Sequence, residues 1–187
     1  MRVVLMGPPG AGKGTQAVVV SERLGVPHVS TGDIFRANVA GGTPLGLEAK
    51  RYMDAGDYVP DSVTNAMVRD RLGQPDAAVG FLLDGYPRTV AQVDELAAML
   101  AEHGAALDHV VELTVDRDEL VARLVKRATE QGRSDDSEDV IRRRQEVFAE
   151  QTAPLTALYE AQGLLVRVDG MGPVAEVTAR VLAALGA

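Results

Sequence analysis

Short apolar runs rich in β-branched residues recur along the chain, and turn-forming residues close the clearest of them. Arg2–Met6 leads into Gly-Pro-Pro-Gly and Phe81–Leu83 leads into Asp84-Gly85; His109–Val115 and Leu164–Val168 follow the same grammar, and Pro27–Ser30 follows it more weakly. Runs that stay apolar at consecutive positions predict strands covered on both faces. Between them, apolar residues recur at helical spacing over Lys13–Leu24, Asp61–Leu72, Thr89–His103, Arg117–Arg127, Glu138–Gln162 and Pro173–Leu185. Strands alternating with helices predict an α/β fold, a five-stranded parallel sheet with helices on both faces.

Two stretches break the alternation. Thr31–Val59 carries two short helical patterns, split at Gly41-Gly42-Thr43-Pro44, where a strand would otherwise fall. Ala128–Ser137 is polar and holds Gly132 and two adjacent aspartates. Insertions of this kind sit on the surface of an α/β core, either as tolerated decoration or as carriers of function.

Composition narrows the classes. A chain of 187 residues, 46% hydrophobic and 25% charged, has the balance of one soluble globular domain. No apolar run approaches the roughly 20 residues that span a bilayer, and Met1–Met6 opens no secretory leader, so the expected location is the cytoplasm, away from membranes. The absence of Cys excludes disulfides and Cys-ligated zinc. A net charge of −8 argues against a broad grip on nucleic acid. The placement of the basic residues, beside turns and glycines, then matters more than their number.

Gly7-Pro8-Pro9-Gly10-Ala11-Gly12-Lys13 carries the Gly-x-x-x-x-Gly-Lys pattern of a phosphate loop, between an expected strand and an expected helix. Glycines let backbone N–H groups converge on a phosphate at the helix N-terminus, and Lys13 adds a point charge for the outer phosphates. Gly14 stands where the general pattern has Ser or Thr, with Thr15 one place later, so a direct hydroxyl contact to Mg²⁺ is not expected.

A phosphate loop serves switches, ATPases and kinases alike. No Asn-Lys-x-Asp reader of guanine occurs in the chain. A kinase acting on a sugar hydroxyl needs a general base. A nucleoside monophosphate does not, because its second pKa is about 6 and its oxygen is already ionised at neutral pH. Its difficulty is charge, since two nucleotides bring like charges together at a cost of several kcal/mol. Such a site should be rich in arginine. Ser30-Thr31-Gly32-Asp33-Ile34-Phe35-Arg36, Asp84-Gly85-Tyr86-Pro87-Arg88-Thr89-Val90-Ala91-Gln92, Arg123 and Arg127, Gly132-Arg133-Ser134-Asp135-Asp136 and Arg144 supply that wealth.

Together with the phosphate loop, these motifs resemble the adenylate kinases over essentially the whole chain. The resemblance implies one domain over 1–187, an AMP-binding insertion at 30–59 and a short, zinc-free lid at 127–137. It implies phosphoryl transfer from ATP to AMP, giving two ADP, with Mg²⁺ accompanying ATP and the chain acting as a monomer. Gly10, Ala11, Gly12, Lys13, Gly14 and Thr15 would wrap the ATP phosphates, Arg123 would lie against the adenine of ATP, and Gly172 would meet that adenine through its backbone. Thr31, Arg36, Asp57, Tyr58, Val59, Gly85, Tyr86, Pro87, Arg88 and Gln92 would form the AMP site, joined by Arg133 and Arg144. Gln92 would read the base, since an amide offers both a donor and an acceptor. Lys13, Arg88, Arg127, Arg133 and Arg144 would act on the transferring group. Tyr86-Pro87 is expected to be cis, and both insertions to be mobile.

Some residues admit plainer readings. Arg142-Arg143-Arg144 is a basic run on a helix, of which one member can face a cleft squarely; spacing from Arg133 selects Arg144. Asp135 and Asp136 either cap the next helix or take part in lid closure. Asp84 ends an apolar strand, where an unpaired carboxylate is costly, so a water-bridged Mg²⁺ suits it. His28, His103 and His109 share no ligand spacing and receive no role. The nearest rival is a UMP/CMP-type kinase, disfavoured by Thr31 and Gln92, where relatives of that type tend to carry Ala and Asn. A nucleotide sensor without turnover would leave the two-sided arginine set without purpose.

Overall fold

The computed structural model describes residues 1–131 and 137–187. Five strands, β1 (Arg2–Met6), β2 (His28–Ser30), β3 (Phe81–Asp84), β4 (His109–Thr114) and β5 (Leu165–Asp169), form one sheet in the order β2-β3-β1-β4-β5. Every pairing is parallel. The expected strands all appear, each within one residue at either end.

Both faces of the sheet are covered, which is why its strands lack the polar alternation of a half-exposed sheet. On one face Val4, Met6, Phe81, Leu83 and Val110 pack under α4 (Asp61–Leu72), α5 (Val90–Ala101) and α8 (Leu155–Ala161) through Val68, Leu96, Leu155 and Tyr159. On the other, Val3, Leu5, Leu82, Val111 and Leu113 meet α1 (Lys13–Leu24) and α9 (Val174–Leu185) through Ala17, Val20, Val177 and Val181. Neighbouring residues of one strand thus serve opposite cores, the period-two rule applied to two apolar layers.

The first insertion is an antiparallel pair of helices, α2 (Thr31–Ala40) and α3 (Pro44–Ala55). The break between them follows from local chemistry. Gly42 turns at φ 63°, Thr43 accepts a hydrogen bond from the Gly46 N–H at 3.0 Å, and Pro44 occupies the first helical position, where a missing N–H costs nothing. Phe35, Ala49 and Val59 give this arm a small core of its own.

Two helical stretches differ from expectation. The helix expected over Arg117–Arg127 runs on to Gln131 as α6 (Arg117–Gln131), so Ala128–Gln131 are helical; the stretch 132–136 lies outside the described residues. Glu138–Gln162 is not one helix. α7 (Glu138–Val147) gives way to a π-helical turn over Phe148–Thr152, and Pro154 precedes α8. A proline has no N–H to continue the ladder and its ring crowds the carbonyl four residues earlier, so the helical path must re-form around it.

Candidate functional site

The loops that follow the strands gather at the C-terminal edge of the sheet, as the parallel topology requires. After β1, the chain turns through Gly7, Gly10 and Gly12, all at positive φ. At Gly10 (φ 90°) a Cβ would stand 2.9 Å from Leu124 Cγ, so the loop can lie against α6 only without a side chain there. Lys13 opens α1 and folds back to donate to the carbonyls of Gly7 (2.7 Å) and Pro8 (3.0 Å). Desolvation lowers its ammonium to about 8; Asp84 opposes that shift, while Arg88, Arg144 and Arg127 reinforce it.

A cleft of about 790 Å³ extends from this loop. Gly10–Thr15, Arg123, Arg127, Arg144 and Gly172, all expected at the ATP site or the transferring group, line it. Arg123 bridges its two walls, donating to Gly170 O at 3.1 Å and Ala11 O at 3.5 Å, with Glu119 holding its Nε at 2.7 Å. Arg180 fixes the loop after β5 by donating to Asp169 O (2.6 Å) and Met171 O (2.8 Å). Sequence reading missed Glu119 and Lys126 as lining residues; their helical spacing from Arg123 was the available signal.

A second, smaller cavity lies between the α2–α3 arm and the turn after β3. Thr31, Arg36, Asp57, Tyr58, Val59, Gly85, Arg88, Gln92 and Arg144 line it, all of them expected. Phe35, Met53 and Thr64 also line it and were not expected; Phe35 follows Thr31 by one helical turn, which would have marked it. The two cavities share Gly32, Arg36, Gly85, Arg88 and Arg144, so arginines from α2, the β3 turn and α7 stand where they meet.

Hydrogen bonds tie the turn after β3 to its neighbours. Thr31 Oγ1 donates to Gly85 O at 2.9 Å, and Arg88 Nε donates to the same carbonyl at 2.6 Å. Gln92, 1% exposed, accepts from the Arg88 N–H at 2.7 Å and donates to Asp61 Oδ1 at 2.7 Å. The arm also meets α7: the Asp57 carboxylate pairs with Arg143 Nε at 2.7 Å, so its side chain faces that helix. Arg36 pairs with Asp33 one helical turn away.

Tyr86 and Pro87 follow Gly85 in the turn after β3. The peptide between them is cis, as expected. Both residues are buried behind the turn instead of lining the cavity. The Tyr86 ring is apolar enough to join the core, where its hydroxyl donates to Asn65 Oδ1 at 2.9 Å. Arg133 lies outside the described residues.

Asp84 ends β3 beneath the phosphate loop; a Cβ on Gly14 would lie 3.6 Å from its Oδ2. His28 Nε2 stands 3.7 Å from the same oxygen, buried and without a hydrogen-bond partner. Among the described residues no three His, Cys, Asp or Glu side chains cluster as metal ligands, and no helix is long and apolar enough to cross a membrane.

A phosphate loop on a five-stranded parallel sheet, opening into an arginine-lined cleft that meets a second cavity, places the chain among the P-loop nucleotide-binding proteins. The chain matches the family Adenylate kinase over residues 5–164. It is 64% identical to an adenylate kinase of Nocardioides sp. over 99% of this chain and 97% of the relative. It is 64% identical to one from Kocuria rhizophila, over 98% of each, and 60% identical to one from Thermobifida fusca, over 99% and 98%. The chain belongs to the adenylate kinase family.

Proposed function

We propose that the chain transfers the terminal phosphoryl group of ATP to AMP, with the larger cleft holding the donor and the smaller cavity the acceptor. The observation that carries this reading is the shared wall of Gly32, Arg36, Gly85, Arg88 and Arg144 between the two. An oxygen of the AMP phosphate attacks the terminal phosphorus of ATP, the bond from that phosphorus to the bridging oxygen breaks, and two ADP result. No base is required, because an oxygen of pKa about 6 is already free of its proton. The work left to the protein is neutralising charge and aligning the two ends.

Lys13 and the N–H groups of Gly10–Thr15 receive the donor phosphates. Arg123, already spanning the cleft between Ala11 and Gly170, stacks on the donor base, and Gly172 meets that base through its backbone. Arg36 and Arg88 hold the AMP phosphate, while Arg127, Arg133 and Arg144 close on the group in flight. Thr31 and Gln92 choose the acceptor base, with Val59 beside them.

Magnesium fits the residues present. Asp84 offers hard oxygens at the loop, and the partnerless His28 Nε2 beside it marks a polar recess suited to ordered water. Asp84 would hold the ion through water, and a bound ion would supply positive charge against the donor phosphates.

Parallel coupled assays of ADP formation from ATP with AMP, CMP, UMP and GMP test the reading. AMP should be the preferred acceptor by at least tenfold in kcat/KM. Preference for UMP or CMP would reassign the acceptor pocket, and turnover with none of the four would end the proposal.

A further inference from the structure

The π-helical turn Phe148–Thr152 is at first sight only the seam between α7 and α8. A π turn admits one extra residue per turn and re-aims the side chain that leaves it; here the Ala153 N–H donates to Phe148 O, five residues back, at 2.8 Å. The residue re-aimed is Thr152, 4% exposed. Its Oγ1 donates to Arg88 O at 2.9 Å and lies 2.8 Å from the Tyr58 hydroxyl. A threonine hydroxyl has one proton, and the Arg88 carbonyl can only accept, so Tyr58 donates to Thr152. The Tyr58 ring in turn lies under the Arg88 guanidinium, whose Cζ is 4.9 Å from the ring centroid, within cation–π range.

Arg88 is therefore fixed from several directions. Gln92 takes its N–H, Gly85 takes its Nε–H, and Thr152 reaches it twice, once at the carbonyl and once through the Tyr58 ring. The same continuous helical segment carries Arg144, which lines both cavities, two turns earlier. We infer that Thr152 is a positioning residue of this enzyme: its hydroxyl sets the Arg88 guanidinium, through Tyr58 and the Arg88 carbonyl, in register with Arg144 for the acceptor phosphate. This rests on the acceptor-site reading above and adds Thr152 to it, with Tyr58 as the link to the phosphate grip. Sterically, valine can replace Thr152, but it leaves the Arg88 carbonyl and the Tyr58 hydroxyl without their shared partner.

The test compares AMP with adenosine, its phosphate-free counterpart, by equilibrium titration of the whole chain carrying Thr152→Val, Thr152→Ser, Tyr58→Phe or Arg88→Ala. Thr152→Val should weaken AMP about tenfold and Tyr58→Phe about threefold. Adenosine and ATP should stay within twofold in both, and Thr152→Ser should restore AMP binding. Loss of AMP and adenosine by equal factors would show general damage to the pocket and overturn the inference, as would unchanged AMP binding in Thr152→Val. Should Thr152→Val fail to fold, Tyr58→Phe alone decides, since that half-buried ring keeps its volume. Arg88→Ala separates the two levels. If it leaves AMP affinity intact the acceptor site itself is misassigned; if it abolishes AMP binding while the Thr152 and Tyr58 variants do nothing, only the positioning role falls.

Discussion

Lys13, a half-buried charge, links the proposed donor site to pH. Its folded pKa of about 8 lies below the ordinary 10.5, so between those values the unfolded chain binds more protons and stability rises with pH. Below pH 8 both states are protonated and the cost of the buried ammonium is fully present. Donor phosphates reverse the balance by favouring the charged form. Nucleotide binding near pH 9 should therefore take up a fraction of a proton, and ATP affinity should fall as pH climbs past 8. Calorimetry at pH 9 in buffers of different ionisation enthalpy reads this directly, with Lys13→Met losing the uptake; heats independent of buffer would contradict it. Gln92 makes a different point. Its amide is expected to read a base, yet it already holds Asp61 and the Arg88 N–H. Gln92→Ala leaves Asp61 Oδ1 and the Arg88 N–H without their partner at about 1–3 kcal/mol for a buried group, so KM for AMP should rise tenfold or more while KM for ATP holds, and Tm should also drop. An unaltered KM for AMP would remove Gln92 from the acceptor site. Its chemistry is legible from the residue type, but its partners are not, because Asp61 is 31 positions away and no local pattern links them.

At the scale of elements, the sequence is most legible where punctuation is strong. Gly42, Thr43 and Pro44 announce the break between α2 and α3, and β1 and β3 announce themselves by unbroken apolar residues. It is least legible where helix-forming residues run past a functional boundary. Ala128–Gln131 are ordinary helix formers, so nothing local distinguishes the last turn of α6 from the start of a loop. Pro154 was a visible warning against a single helix from Glu138, but the π turn before it depends on tertiary contacts that sequence periodicity does not carry. The arm itself offers a sharp test at Gly46. A Cβ there would fall 2.1 Å from Asn38 O, a backbone atom of the facing helix, so α2 and α3 can approach only through glycine. Gly46→Ala should cost about 1–3 kcal/mol, as overpacking does, at about 2–4 °C of Tm per kcal/mol in a chain of this size. KM for AMP should rise with it and KM for ATP should not; steady-state kinetics and a melting curve on one preparation decide, and equal losses for both substrates would mean that the arm is not specific to the acceptor.

Across the whole molecule, the two large cores belong to the sheet and the third, around Phe35, Ala49 and Val59, belongs to the arm. We expect the arm to open as a unit at less cost than the sheet. Amide exchange should be faster in α2 and α3 than in β1, β3 and β4, and AMP should slow it in the arm while ATP alone does so less. Exchange in the arm as slow as in β1 would speak against that division. The attachment of the arm has a further consequence. It springs from β2, a three-residue strand at the rim of the sheet that pairs with β3 alone, and it rejoins the core at α4. Thr31 travels with the arm, whereas Gly85, Arg88 and Gln92 stay with β3 and α5. On the proposed reading, acceptor recognition is divided between a graftable appendage and a fixed base. Exchanging the arm for that of a relative with another acceptor should leave the phosphate grip in place and change only half of what the pocket says about the base, so new specificities in this architecture should arise by paired changes, one on each side of the Ser30–Thr31 junction.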